Sequence, residues 1–99
     1  MSRPKYYWYG IARQMIANSA KLRNERTLQA TIFLKAIEDA TEETLKLPNG
    51  QERIKAVNTV LIDKTKTIDG CAIELYYSPS TIQKWINSYV NLVGKKAGF

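Results

Sequence analysis

Ser80, Thr81, Gln83, Lys84 and Asn87 follow closely on a Ser78-Pro79 pair. These side chains do recognition chemistry rather than bond-making chemistry. The amides of Gln and Asn can pair bidentately with adenine, Lys can donate to guanine or phosphate, and Ser and Thr hydroxyls suit several base edges. Serine can cap the free N–H groups of a following helix, and proline suits the first helical position. In the helix so opened, Ile82, Trp85 and Ile86 point to a core and Tyr89 and Val90 continue that stripe. Ser80, Thr81, Gln83, Lys84 and Asn87 lie on the opposite face near the N-terminus.

A second element must hold that helix in place, and Thr67 to Leu75 supplies it. Thr67 is a good N-cap type. Ile68, Cys71 and Leu75 lie at helical spacing and can face inward. Ala72 is the small residue needed where two helix backbones approach. Tyr76-Tyr77 fills the turn, where a glycine is common and none is present. The pattern from Thr67 to Asn87 is therefore a helix, a tight turn and a second helix. In a helix-turn-helix the N-terminal residues of the second helix reach base edges in the major groove. Ser78, Lys64 and Lys66 are placed to touch phosphate, which positions a protein without specifying sequence. A plain helical hairpin also needs a small residue and a cap, and Gln, Lys and Asn are ordinary surface residues.

The segment IDGCAIELYYSPSTIQKWINSYVNLVGKKAG resembles the C-terminal end of phage and prophage late-gene transcription activators of the RinA and ArpU type. Those proteins end in a helix-turn-helix similar to sigma-factor region 4, reading roughly A-x-x-L-x-x-S-x-x-T, and then a long basic helix. Ala72, Leu75, Ser78 and Thr81 occupy that pattern here. The likeness covers about the last third of the chain. It implies binding to double-stranded promoter DNA, with RNA polymerase as a further partner.

Charge agrees with a phosphate-rich partner. The formal charge is +6. Residues 1–48 carry eight Lys/Arg against five Asp/Glu, and residues 49–99 seven against four, so each half is +3. The basicity is spread rather than pooled in a tail, and the sequence pI is near 9.6. There is no histidine, which excludes His-based acid–base catalysis, His-containing triads and His-ligated metals. The single cysteine, Cys71, can form no internal disulfide and no zinc quartet. No apolar run approaches the ~18–20 residues of a membrane span. We expect a cytoplasmic protein with no enzyme activity, no cofactor, no metal and no membrane partner.

The rest of the chain reads as three further helices. The first covers about 5–22, with Trp8, Ile11, Ala12, Met15 and Ile16 on one face. The second covers about 26–47. Ala30, Phe33, Ile37, Ala40 and Thr44 make one stripe and Leu34, Ile37, Thr41 and Leu45 an adjoining one. Pro48-Asn49-Gly50 stops it. The third covers about 51–63, with Ile54, Val57, Val60 and Leu61 on the core face. Its VNTVLI run is β-branched and strand-like by propensity, but its helical spacing and polar flanks favour helix.

Remaining features have plainer readings. Tyr6-Tyr7-Trp8-Tyr9 can stack on single-stranded bases or form a dimer surface, but half core and half surface is the usual fate, with Trp8 buried. Glu38 and Glu42 alone make a weak metal site, so Glu38, Asp39, Glu42 and Glu43 read as a solvated acidic patch. That patch can also repel DNA or dock a basic protein. Cys71 reads as a buried structural thiol. The closing GKKAGF is a basic tail on phosphate, or it ends the last helix at Gly94 or Gly98 and folds Phe99 back.

The expectation is an all-α chain of about five helices. Residues 1–48 form an N-terminal helical region and 49–99 the helix-turn-helix region, within one compact domain. The favoured reading is a sequence-specific transcription regulator of phage or prophage origin, with a homo-oligomer left open. A small-terminase-like packaging subunit, which would form a ring, is the nearer alternative. A helical protein-interaction module without DNA binding is the farther one.

Overall fold

The computed structural model describes residues 9–24 and 27–98. All regular structure among them is helical, with no strand. Helix α1 spans Tyr9–Ala17, and a single turn, α2, spans Ser19–Leu22. Helix α3 spans Leu28–Leu45, α4 spans Gly50–Val57, α5 spans Ile68–Leu75 and α6 spans Pro79–Lys96. Setting aside the single turn α2, these are the five helices expected of an all-α chain.

Helix α6 is the axis of the core. Ile82, Trp85, Ile86, Tyr89, Val90, Val93 and Gly94 are buried along it, the spacing of one helical stripe. It touches α1, α3, α4 and α5. Each fully buried aliphatic side chain on this stripe contributes about 1.5–3 kcal/mol. The helix runs through Gly94 to Lys96, with Ala97 as its C-cap and Gly98 beyond at φ 90°. Gly94 is therefore a packing position, not a stop.

Helix α3 forms the most extensive pairing with α6. Its buried residues are Ala30, Phe33, Ala36, Ala40 and Thr44. The stripe differs from the expected one at its centre, where Ala36 is buried and Ile37 only half-buried. Leu45 is 47% exposed. Small alanines on the buried face allow a neighbouring helix to approach closely. Thr41 Oγ1 and the Tyr89 hydroxyl, 2.9 Å apart, form a polar tie between the helices.

Helix α1 is also rotated from the expected setting. Tyr9, Ala12 and Ile16 are buried, and Ser19 of α2 is buried too. Ile11, expected inside, is 53% exposed. Trp8, Tyr6, Tyr7 and Phe99 lie outside the described residues.

The α3–α4 joint explains why Asn49-Gly50 is there. Asn49 adopts the left-handed conformation, φ 59° and ψ 30°, which Asn tolerates better than most residues. Gly50 opens α4 one residue earlier than expected and meets α3 backbone to backbone. A Cβ at Gly50 would stand 2.6 Å from the carbonyl oxygens of both Thr44 and Leu45. Glycine is needed here for the close approach, and Asn49 supplies the turn.

The β-branched run after α4 is helical, as its spacing indicates, but over-wide. Asn58–Ile62 forms a π turn closed by Asp63 N–H donating to Asn58 O at 2.7 Å. Thr59 Oγ1 donates to Lys55 O at 2.7 Å. That hydroxyl shares the carbonyl an α-helical N–H would use; Thr31 and Thr41 make the same bond at α3, which stays α-helical, so the bond accompanies the π turn without accounting for it. Val57 and Leu61 stay buried across it, while Ile54 and Val60 are half-buried. No described helix is long and apolar enough to cross a membrane.

Candidate nucleic-acid interface

Local chemistry sets the two helices of the candidate site. The Thr67 side chain accepts from Gly70 N–H at 3.1 Å and caps α5. Cys71 and Ala72 are buried against the core, and Ile68 and Leu75 pack half-buried beside them. Tyr77 N–H then donates to Ala72 O at 3.0 Å across a left-handed Tyr76, φ 63° and ψ 38°. This is a Schellman-type end with tyrosine at the position glycine usually takes. The Tyr76 side chain is 94% exposed, so no packing forces the residue there.

The turn is anchored to α4. The Tyr77 hydroxyl donates to Glu52 Oε2 at 2.6 Å, and the Tyr77 ring meets Trp85 edge-on with centroids 4.7 Å apart. Arg53 stacks its guanidinium 5.5 Å from the Trp85 ring centroid and donates to Pro48 O at 3.0 Å. Rings and guanidinium together hold the start of α6 at a fixed place on the core.

Ser78 caps α6, accepting from Thr81 N–H at 3.2 Å. Its hydroxyl also lies 2.9 Å from Thr81 Oγ1 and 3.2 Å from Ser80 Oγ. Ser78 and Thr81 are thus engaged in the cap. Ser80, Gln83, Lys84 and Asn87 come together instead around a shallow depression of about 500 Å³, with Ile68, Asp69 and Pro79 completing its wall. Ser80 and Lys84 are exposed, and Gln83 and Asn87 are half-buried.

The two connector lysines have different surroundings. Lys66 forms an ion pair with Glu74, and Lys55 reaches the same carboxylate at 3.2 Å. Lys64 has a positive φ of 54° and lines a separate depression with Gly10, Arg13, Gln14 and Leu61. No ion pair involves Lys64 among the described residues.

Three contributors escape a reading of residue types. Asp69 brings a carboxylate to the depression that Lys84 also lines; its position two residues after the Thr67 cap is the only local signal. Glu74 neutralises part of the basic surface. Tyr9 is the third: it is buried, and its hydroxyl donates to Asn87 Oδ1 from the other end of the chain. Asn87 Oδ1 also accepts from Gln83 Nε2 at 2.9 Å.

Titration behaviour follows burial. Desolvation pushes the Cys71 thiol up, against the opposing pull of Lys66 and Lys55. Burial also raises the Tyr9 phenol, opposed by Arg13. Both groups are neutral at pH 7, and the buried Cys71 has no thiolate character to make it a nucleophile. Among the described residues, no group of three or more His, Cys, Asp or Glu could hold a metal ion. Glu38 and Glu42 line a cleft with Ser19, Arg23 and Ile37. Glu43 pairs with Lys96 at the far end of α6.

No protein-family model, curated protein or solved structure matches this chain.

Proposed function

We propose that the protein is a sequence-specific double-stranded DNA-binding transcription regulator of phage or prophage origin. The helix starting at Pro79 reads the major groove, and RNA polymerase is a further partner. One observation carries this reading. The capped start of α6 gathers Ser80, Gln83, Lys84 and Asn87 on one outward face, while the opposite face is buried in the core. A rigid helix with hydrogen-bonding side chains on its first turns is the form a major-groove reader takes.

Charge supports the same surface. The chain is +6 overall; Lys84 lines the depression, Lys66 just before α5 shares its charge with Glu74, and Lys64 lies in the connector at a separate depression as a further phosphate donor. Asp69 limits the site's appetite for phosphate and offers an acceptor for a cytosine amino group. The Ser78 hydroxyl is occupied by the cap, so its role here is to hold the helix start.

The test is selection of duplexes from a random pool, followed by mobility shift with the selected site and with an unrelated one. Gln83→Ala combined with Lys84→Ala should reduce discrimination between the two duplexes by at least about tenfold, since each bidentate contact is worth about 1–3 kcal/mol. Circular dichroism should show the fold intact. Unchanged discrimination in that variant would remove the reading. Native mass measured alongside separates a monomer or dimer from a ring.

A further inference from the structure

Asn87 cannot read a base with both ends of its amide. Two donors, the Tyr9 hydroxyl and Gln83 Nε2, converge on its Oδ1. A carbonyl oxygen has two lone pairs, so this one is filled. Asn87 Nδ2 makes no hydrogen bond among the described residues, and Asn87 lines the depression with Gln83 and Lys84. Gln83, by contrast, keeps its Oε1 and one amide hydrogen.

Bidentate pairing with adenine needs an acceptor for the N6 amino group and a donor for N7. Gln83 retains both and Asn87 retains only donors. We infer that Tyr9 is a specificity-positioning residue: by occupying Asn87 Oδ1 it makes Asn87 a donor-only reader of acceptor edges, such as guanine N7 and O6 or thymine O4, and leaves adenine pairing to Gln83. This rests on the DNA-reading proposal above. Tyr9 suits the task because it is 5% exposed, and burial keeps its phenol protonated and donating. Helix α1 packs on α6 and carries the hydroxyl to its place. The base preference of the C-terminal helix is therefore set in part by a residue 78 positions upstream.

Tyr9→Phe tests this, because it removes the hydroxyl and keeps the ring. With the full-length chain, binding is measured to duplexes that vary the base pair facing Asn87 within the selected site. Gln83 Nε2 still donates to Oδ1 in this variant, but one lone pair is opened, and preference for adenine at that pair should rise by about 3- to 10-fold, the worth of one hydrogen bond. The salt dependence should not change, because no phosphate contact is altered. A uniform loss of affinity with the same base preference would overturn the inference. Asn87→Asp is the second variant. It keeps acceptor oxygens for Tyr9 and Gln83 but turns a carboxylate oxygen outward, so preference should move toward cytosine by a similar factor. An unmoved preference would again overturn the inference. Failure of the wild-type chain to select any sequence would sink the DNA reading itself, which is a distinct result.

Discussion

Glu74→Gln should strengthen DNA binding and make it more salt-sensitive. Glu74 lies between Lys55 and Lys66 and pairs with both. The three side chains together carry +1, so removing the carboxylate charge leaves +2 and takes the chain from +6 to +7. One additional cation available to phosphate steepens the slope of log K against log salt by about 0.9. Over a fourfold rise in salt, that corresponds to about 3.5-fold more affinity lost by the variant than by wild type. Stability should barely move. The three side chains are 56%, 42% and 34% exposed, and such solvent-screened pairs are worth about 0–1 kcal/mol. Glu43→Gln is the control, with the same change in net charge. Its partner Lys96 stands sixteen residues beyond Ser80 on α6, about 24 Å along the axis. That exceeds the Debye length of about 8–10 Å at moderate salt. Mobility shift across a salt series gives both slopes. Equal steepening in the two variants, or none in Glu74→Gln, would refute a DNA face at the start of α6.

Two helical glycines should respond oppositely to alanine. Gly50→Ala places a Cβ against three backbone atoms that cannot rotate away, at the top of the overpacking range, about 3 kcal/mol. Setting about 1 kcal/mol of helix propensity against it leaves a net loss of about 2 kcal/mol. Gly10→Ala meets nothing within 4 Å and should be neutral or stabilising by up to about 1 kcal/mol. Denaturant midpoints decide both, and a stabilising Gly50→Ala would disprove the α3–α4 contact. Tyr76→Gly should stabilise by about 0.5–1 kcal/mol by relieving a left-handed tyrosine; destabilisation would mean that the turn has another geometry. Alkali should weaken the fold. Cys71, Tyr9, Tyr77, Tyr89 and Lys96 all have raised folded pKa values, from ordinary values of 9.0 for the thiol, 10.0 for the phenols and 10.5 for the lysine. The native state therefore holds these protons more tightly than the unfolded chain. The stability they contribute is complete below about pH 9 and is lost as pH rises through the folded values. Melting temperature followed from pH 7 to 11 checks this, and a flat profile would contradict it.

Features that depend on near neighbours in the chain are legible in the amino-acid sequence. Thr67 and Ser78 read as caps because a cap acts over three residues, and both accept the backbone N–H expected of them. Ile82, Trp85, Ile86, Tyr89 and Val90 read as core because α6 is apolar on one side only, and all five are buried. Helix α3 is harder for a physical reason. It offers apolar residues on more than one face, and its packing against neighbouring helices buries Ala36 and leaves Ile37 half-buried, an order that hydrophobicity alone would reverse. The π turn over Asn58–Ile62 keeps Leu61 buried, and a helical apolar spacing does not distinguish it from an α turn.

The candidate site divides along the same line. Ser80, Gln83, Lys84 and Asn87 group together by helical spacing, and they line one depression. What each can still offer a base is not legible in the same way, because that depends on partners distant in sequence. Lys64 and Lys66 are two residues apart with similar chemistry, yet only Lys66 has its charge offset by Glu74. Asn87 and Gln83 carry the same amide, yet Tyr9, 78 positions upstream of Asn87, takes the oxygen of one and not of the other. Residue type at helical spacing thus identifies a surface that hydrogen-bonds. On the proposed DNA reading, base preference would follow from the groups already bonded inside the fold, among them the Tyr9 hydroxyl that α1, packed on α6, brings to Asn87. A substitution that shifts α1 should therefore alter which sequence is bound before it alters how tightly DNA is held.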